Sequence, residues 1–266
     1  MRATGGRHGV EYAIEGAGLG LFMFVAEAAG VLISRTSLSG VASRLVFGLA
    51  MGLTLIALVY SPPGRRSGAH LNPALSLTFW RLGKLSNADL AGYVGAQFAG
   101  GLAGVALAAL CFGRRVAAPE VDYLPTVPGV AGVAGAFAGE FAISLLLVTA
   151  VLQLSNRPRF APFTGLACGV LVLLYITFES PLSGMSMNPA RTLASAVPSA
   201  RYEALWLYAV APILGMLTAA ELFVQTHGRA RVLCAKLFHP ARGLAPAREL
   251  GPEACHFNCT FPPEKT

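Results

Sequence analysis

The same eight-residue pattern occurs twice in this chain. Ser67-Gly68-Ala69-His70-Leu71-Asn72-Pro73-Ala74 returns, 116 residues later, as Ser183-Gly184-Met185-Ser186-Met187-Asn188-Pro189-Ala190. Asn before Pro favours an extended backbone, Asn is a strong helix N-cap, and Pro suits the first helical position. Each box is therefore an instruction to start a helix after an irregular approach. The apolar runs that follow, Leu75 to Trp80 and Thr192 to Val197, suit a half-helix but are too short to cross a bilayer.

Long apolar stretches surround the boxes at about 12–34, 40–60, 89–112, 131–154, 161–180 and 203–225. Each reaches the about 20 residues that a helix needs to span a hydrocarbon core. Only 12% of the chain is charged and its mean hydropathy is +0.60, so lipid is the expected solvent. Six spans divide into two halves of three, which must run in opposite directions through the membrane. The spacing agrees: Tyr93, Gln97 and Gly100 correspond to Tyr208, Pro212 and Gly215, 115 residues on, and Glu15 in the first span has Glu140 in the fourth. The fold expected is an all-α membrane protein, six transmembrane helices plus two re-entrant half-helices in an inverted 3+3 repeat. Such repeats place the functional site near the midplane, where the halves meet. Gly95, Gly100, Gly101 and Gly104, and likewise Gly132, Gly135 and Gly139, read as small-residue ladders for close helix packing.

The 20 Lys and Arg residues set the orientation. With both termini cytoplasmic, fourteen fall on the inner side and six (Arg35, Arg44, Arg114, Arg115, Arg191, Arg201) on the outer, as the positive-inside rule requires. The net charge of +7 thus fits lipid headgroups rather than nucleic acid. Arg2, Arg7 and Ala26-Glu27-Ala28 imitate a signal peptide. The apolar run continues to Ile33, however, and Glu15 interrupts it, so a retained first span is expected. The expected division is a cytoplasmic N-terminus at 1–11, a channel domain at 12–225 (repeats about 12–112 and 131–225), and a cytoplasmic tail at 226–266.

Two such boxes in inverted halves, Arg191 directly after the second, and the intramembrane Glu15 and Glu140 make residues 11–225 resemble the aquaporin (major intrinsic protein) family. The resemblance implies a passive channel for water or small uncharged solutes that excludes protons and ions. It also implies a multi-pass protein of the plasma membrane (the inner membrane of a bacterium), assembled as a homotetramer. Asn72-Pro73-Ala74 and Asn188-Pro189-Ala190 would start half-helices whose positive ends meet at the membrane centre. The two Asn amides would donate to a passing oxygen. Carbonyls of Gly68, Ala69 and His70, and of Gly184, Met185 and Ser186, would accept along the path. Glu15 and Glu140 would hold the loops extended, in preference to acting as a proton relay.

Arg191 would form the outer selectivity ring, with Ile176 and Met185 from the second half. The fourth member is Met51 if the loop 61–66 holds one extra residue, or Phe47 if Phe47-Gly48 matches the family's aromatic-Gly pair. Water-selective members usually carry His where Ile176 falls, so this ring is unusually apolar. Thr192 and Ala196 nevertheless fit the water type, and Tyr208-Ala209 fits neither pattern. Water is the first expectation, with glycerol, urea, ammonia, hydrogen peroxide and neutral metalloid hydroxides as alternatives.

Glu27, Glu179 and Glu221 read as interfacial or packing residues near span ends, and Cys111 and Cys168 as small core residues. Cys234, His239, Cys255, His256 and Cys259 offer ligands for zinc, but their spacing matches no regular finger, and an unligated tail is expected. No cofactor is expected. A proton-coupled secondary transporter and a metal- or redox-linked membrane protein are the competing classes. No nucleophile–base pair or phosphate-binding Gly loop points to catalysis.

Overall fold

A computed structural model describes residues 8–238. Its long helices are α1 (Gly9–Ile33), α2 (Gly40–Tyr60), α5 (Asn87–Phe112), α6 (Gly132–Ser155), α7 (Thr164–Leu174) and α10 (Leu207–His227). α7 continues through a π-helical turn (Tyr175–Glu179) into α8 (Ser180–Ser183), so six spans are long and apolar enough to cross a membrane. Between them lie α3 (Pro62–Ser67) and the two half-helices, α4 (Pro73–Arg81) and α9 (Pro189–Ser199). The segment 61–66, read from sequence as a loop, is thus mostly the short helix α3. The Ser61 hydroxyl caps it by accepting from the Gly64 amide at 3.0 Å.

The two halves repeat one plan. α1 packs along α5 as α6 packs along α10, and each half-helix crosses to the other half: α9 rests on α5 and α4 on α10. Arg81 of α4 and Glu221 of α10 close that second contact with a 2.8 Å ion pair. Apolar side chains such as Leu45, Leu49 and Leu53 on α2 and Leu166, Val170 and Leu174 on α7 face outward. Surfaces of this kind suit lipid or another subunit rather than water.

Helix packing turns on a few glycines, not on the whole ladder. A Cβ at Gly100 would stand 1.9 Å from the Gly16 carbonyl oxygen, and one at Gly104 2.1 Å from that of Gly20. There α1 and α5 touch backbone to backbone. In the second half the close approach falls at Gly215, 2.3 Å from the Phe141 oxygen. Gly95 and Gly132 depart from expectation: a Cβ at either meets nothing within 4 Å, and Gly132 instead starts α6 at φ +64°.

The tail expected from 226 begins at the end of α10, and its described part packs onto the channel. Beyond α10 and a 3-10 turn (Arg229–Arg231), the chain stays packed: Val232, Ala235, Leu237 and Phe238 belong to the same apolar core as α2, α4 and α6. Cys234 is buried there, whereas His239, Cys255, His256 and Cys259 lie outside the described residues.

Gly100→Leu is expected to destabilise the fold by about 1–3 kcal/mol through overpacking, and Gly95→Leu to leave it unchanged. Thermal unfolding of both variants in detergent checks this; equal melting of the two would contradict the backbone contact.

Candidate pore and its two asparagine boxes

The chain enters each half-helix through a loop with alternating left-handed residues. Ala69 and Leu71 have φ of 54° and 50°, and Met185 and Met187 have 50° and 54°. For non-glycine residues each costs about 1–2 kcal/mol. Such backbone also leaves its amides unpaired at a depth where no lipid can satisfy them. Glu15 supplies the missing acceptors in the first half. One carboxylate oxygen accepts from the His70 amide at 3.0 Å and the Ser67 hydroxyl at 2.7 Å. The other accepts from the Leu71 amide at 2.5 Å and the Gln97 side chain at 2.9 Å.

Glu140 does the same in the second half, accepting from Ser186 N at 2.6 Å, Ser183 Oγ at 3.0 Å and Met187 N at 2.7 Å. Both glutamates are fully buried. Every carboxylate contact here is a donated hydrogen bond, the geometry of a structural acceptor. The asymmetry between the halves follows from Gln97, whose place in the second repeat is taken by Pro212. A second pair of fasteners escaped the sequence reading: the Tyr93 hydroxyl donates to Ser67 O and that of Tyr208 to Ser183 O, each at 2.6 Å. Their common 115-residue spacing was the available signal.

The half-helices meet through their caps. Asn72 Oδ1 accepts from Ala74 N at 2.9 Å, while its Nδ2 reaches across to donate to Met187 O at 2.7 Å. Asn188 mirrors it: Oδ1 accepts from Ala190 N at 3.1 Å and Nδ2 donates to Leu71 O at 2.7 Å. An amide nitrogen carries two hydrogens, so each asparagine keeps one donor beyond the clasp. Both asparagines line a cavity of about 570 Å³ running between the two halves.

That cavity collects most of the residues expected along a pore. Ala69, His70, Gly184, Met185, Ser186, Ile176 and Arg191 line it. Gly68 does not; its carbonyl is taken by the Leu237 amide at 3.2 Å. Phe47 and Met51 both line the cavity, and helix register separates them. Antiparallel α2 and α7 place Gly48 against Leu173 and Thr177, and Gly52 against Gly169 and Leu173. Ile176 therefore lies level with Phe47, and Met51, the first choice from sequence, sits one turn deeper.

Arg191 follows the second cap directly, its amide bonded to Asn188 Oδ1 at 3.2 Å, and its guanidinium donates to the Thr126 hydroxyl. Thr126 comes from the loop between the halves and was not anticipated. Neither was Arg44, which lines the same mouth and donates to the Thr177 carbonyl at 2.9 Å from within the π-helical turn. π-turns interrupt regular helix bonding and recur at functional sites. Glu27, expected as an interfacial or packing residue, is fully buried, and among the described residues no hydrogen-bond partner meets either of its carboxylate oxygens.

An inverted repeat with two capped half-helices meeting inside a membrane-sized bundle, around one continuous cavity, defines a membrane channel. The major intrinsic protein family model matches residues 11–223, and the chain belongs to that family. It is 34% identical over 200 residues to aquaporin NIP1-3 of Oryza sativa subsp. japonica, covering 75% of this chain and 68% of that protein. It is 32% identical over 198 residues to the probable aquaporin NIP7-1 of Arabidopsis thaliana, covering 74% and 70%. The solved aquaglyceroporin from Plasmodium falciparum shares the fold at a TM-score of 0.68 and 22% identity, over 80% of this chain and 94% of that one. The chain is a channel for water and small neutral solutes, of the aquaporin type.

Glu140→Gln would turn one acceptor into a donor facing the Ser186 or Met187 amide. Leaving such a group unsatisfied costs about 1–3 kcal/mol, so lower folded yield and melting temperature are expected in detergent. A variant as stable as the parent would contradict the acceptor role.

Proposed function

We propose that this channel conducts water together with small uncharged hydroxylated solutes of about glycerol size, selected at a ring of Phe47, Ile176, Met185 and Arg191. One observation carries the reading: the cavity wall level with Ile176 is apolar, with Phe47 beside it and no histidine among the lining residues near that mouth. Arg191 offers donors to hydroxyl groups, and the apolar side chains give a carbon backbone a surface to slide along. A wall of this kind rejects less polar solutes weakly.

Charge is rejected by the asparagine clasp. The positive ends of α4 and α9, each worth about half an elementary charge, face the cavity where Asn72 and Asn188 meet. A cation meets that field without full replacement of its water shell, and the imposed donor orientation breaks a proton wire. Arg44 and Arg191 at one mouth add to the barrier. Thr126 fixes the Arg191 guanidinium, so that its remaining donors keep one direction.

Measured in proteoliposomes by stopped-flow light scattering, Ile176→His is expected to lower the ratio of glycerol to water permeability by roughly 10-fold. An unchanged ratio would contradict the ring assignment. The ratio is the proper readout because it does not depend on how many channels are open.

The same reading includes a plasma-membrane location, both termini on the cytoplasmic side, and a homotetramer with one pore per subunit. The fourteen-to-six division of basic residues supports the orientation, and the exposed apolar faces of α2 and α7 supply surface for neighbours. Cross-linking of intact cells that carry a C-terminal tag should give a four-subunit band with the tag shielded from external protease. A monomer band, or a tag cleaved from outside, would contradict the respective element.

A further inference from the structure

Ser34, Leu38 and Glu120 line the cavity at one mouth, and at the other end its wall includes a residue from beyond the last span. The connecting segments on that side are 61–67, 82–86, 156–163 and 228–238. Among the described residues, Leu237 is their single contribution to the cavity wall. We propose that residues 232–238 form a gate across this mouth, the cytoplasmic one in the orientation above, and that Leu237 is the pore residue that closes it. The inference rests on the channel reading and adds to it a second constriction, remote from Arg191.

Three sets of contacts seat the segment. The His70 Nε2 donates to the Ala235 carbonyl at 2.8 Å, and the Leu237 amide donates to the Gly68 carbonyl at 3.2 Å. Both partners belong to the first pore loop, so the segment is fastened to the conduit itself. Upstream, the Leu233 amide donates to Asn156 Oδ1 at 2.8 Å. Downstream, the Phe238 ring packs edge-on against Tyr60 at 5.1 Å, and the Arg65 guanidinium lies 4.9 Å over it. Leu237 is only 3% exposed and Ala235 is fully buried.

The two halves differ here in a way that a purely structural tail would not need. Where the first box has His70, the second has Ser186, whose hydroxyl stays within its own loop, on Asn188 O and Thr192. His70 spans more: its Nδ1 meets Ser76 at 3.1 Å, its ring stacks on Phe79, and Nε2 reaches the tail. The hydrogen bonds of the seat reach only the first pore loop and Asn156, while its apolar side chains lie at the edge of the core formed with α2, α4 and α6. Releasing it would leave the α1–α5 and α6–α10 packing in place, which is the requirement for a gate.

The test compares the parent chain with Leu237→Gly, which removes the stopper, and Phe238→Ser, which removes the anchor outside the pore. Osmotic water permeability in proteoliposomes, per folded channel, is expected to rise roughly 5-fold or more in either variant. Leu237→Phe, which keeps the apolar bulk, should stay at the parent level. Parent-like fast flux in both release variants overturns the gate and leaves the channel reading standing. Flux no faster than empty liposomes in all four chains overturns the channel reading and the gate with it.

Discussion

Irregular backbone cannot stand inside a membrane unless its polar groups are met from within the protein. Two buried carboxylates meet them here. Glu15 and Glu140 accept the amides at 70–71 and 186–187 and so hold the left-handed residues that no local preference would sustain. Everything in the conduit follows from that support. The loops stay extended, the half-helices begin at mid-depth, and Asn72 and Asn188 come close enough to clasp the opposite loop. A pair of intramembrane glutamates would ordinarily suggest proton movement; surrounded by donors as these are, they serve as fixed acceptors instead.

The clasp connects the fold to selection. Each asparagine uses its oxygen to cap its own helix and one hydrogen to hold the other loop, which leaves a fixed donor for the permeant. Because the donor belongs to a rigid, doubly bonded group, a passing molecule meets little reorganisation. Arg191 shares in this order, its backbone tied to Asn188 and its guanidinium to Thr126. The apolar Phe47, Ile176 and Met185 line the cavity near Arg191, and Leu237 joins its wall on the far side.

Much of this was legible in the sequence. The duplicated octapeptide, the six apolar stretches and the opposed halves define the architecture, because each rests on a strong local signal: hydrophobic length, Pro at a helix start, Asn at a cap. What stayed hidden depended on contacts between distant segments. The choice between Met51 and Phe47 is a matter of register between α2 and α7, which Gly48 and Gly52 fix through contacts with Leu173 and Gly169. Thr126 and Arg44 join the mouth from segments with no motif of their own. Residues 228–238 carry no motif of their own, yet Val232, Cys234, Ala235, Leu237 and Phe238 enter the core, and the pore loop offers Gly68 and His70 as partners. Gly95 shows the converse: correct spacing for a ladder, with no neighbour to approach.

The central claim is that the asparagine clasp lets neutral molecules pass and stops charge. The most direct measurement follows two signals from the same proteoliposomes, osmotic shrinkage by light scattering and the decay of an imposed pH gradient by an internal dye. The account predicts shrinkage faster than in empty vesicles while the pH gradient decays at the empty-vesicle rate. Collapse of the pH gradient in step with the added protein would contradict it.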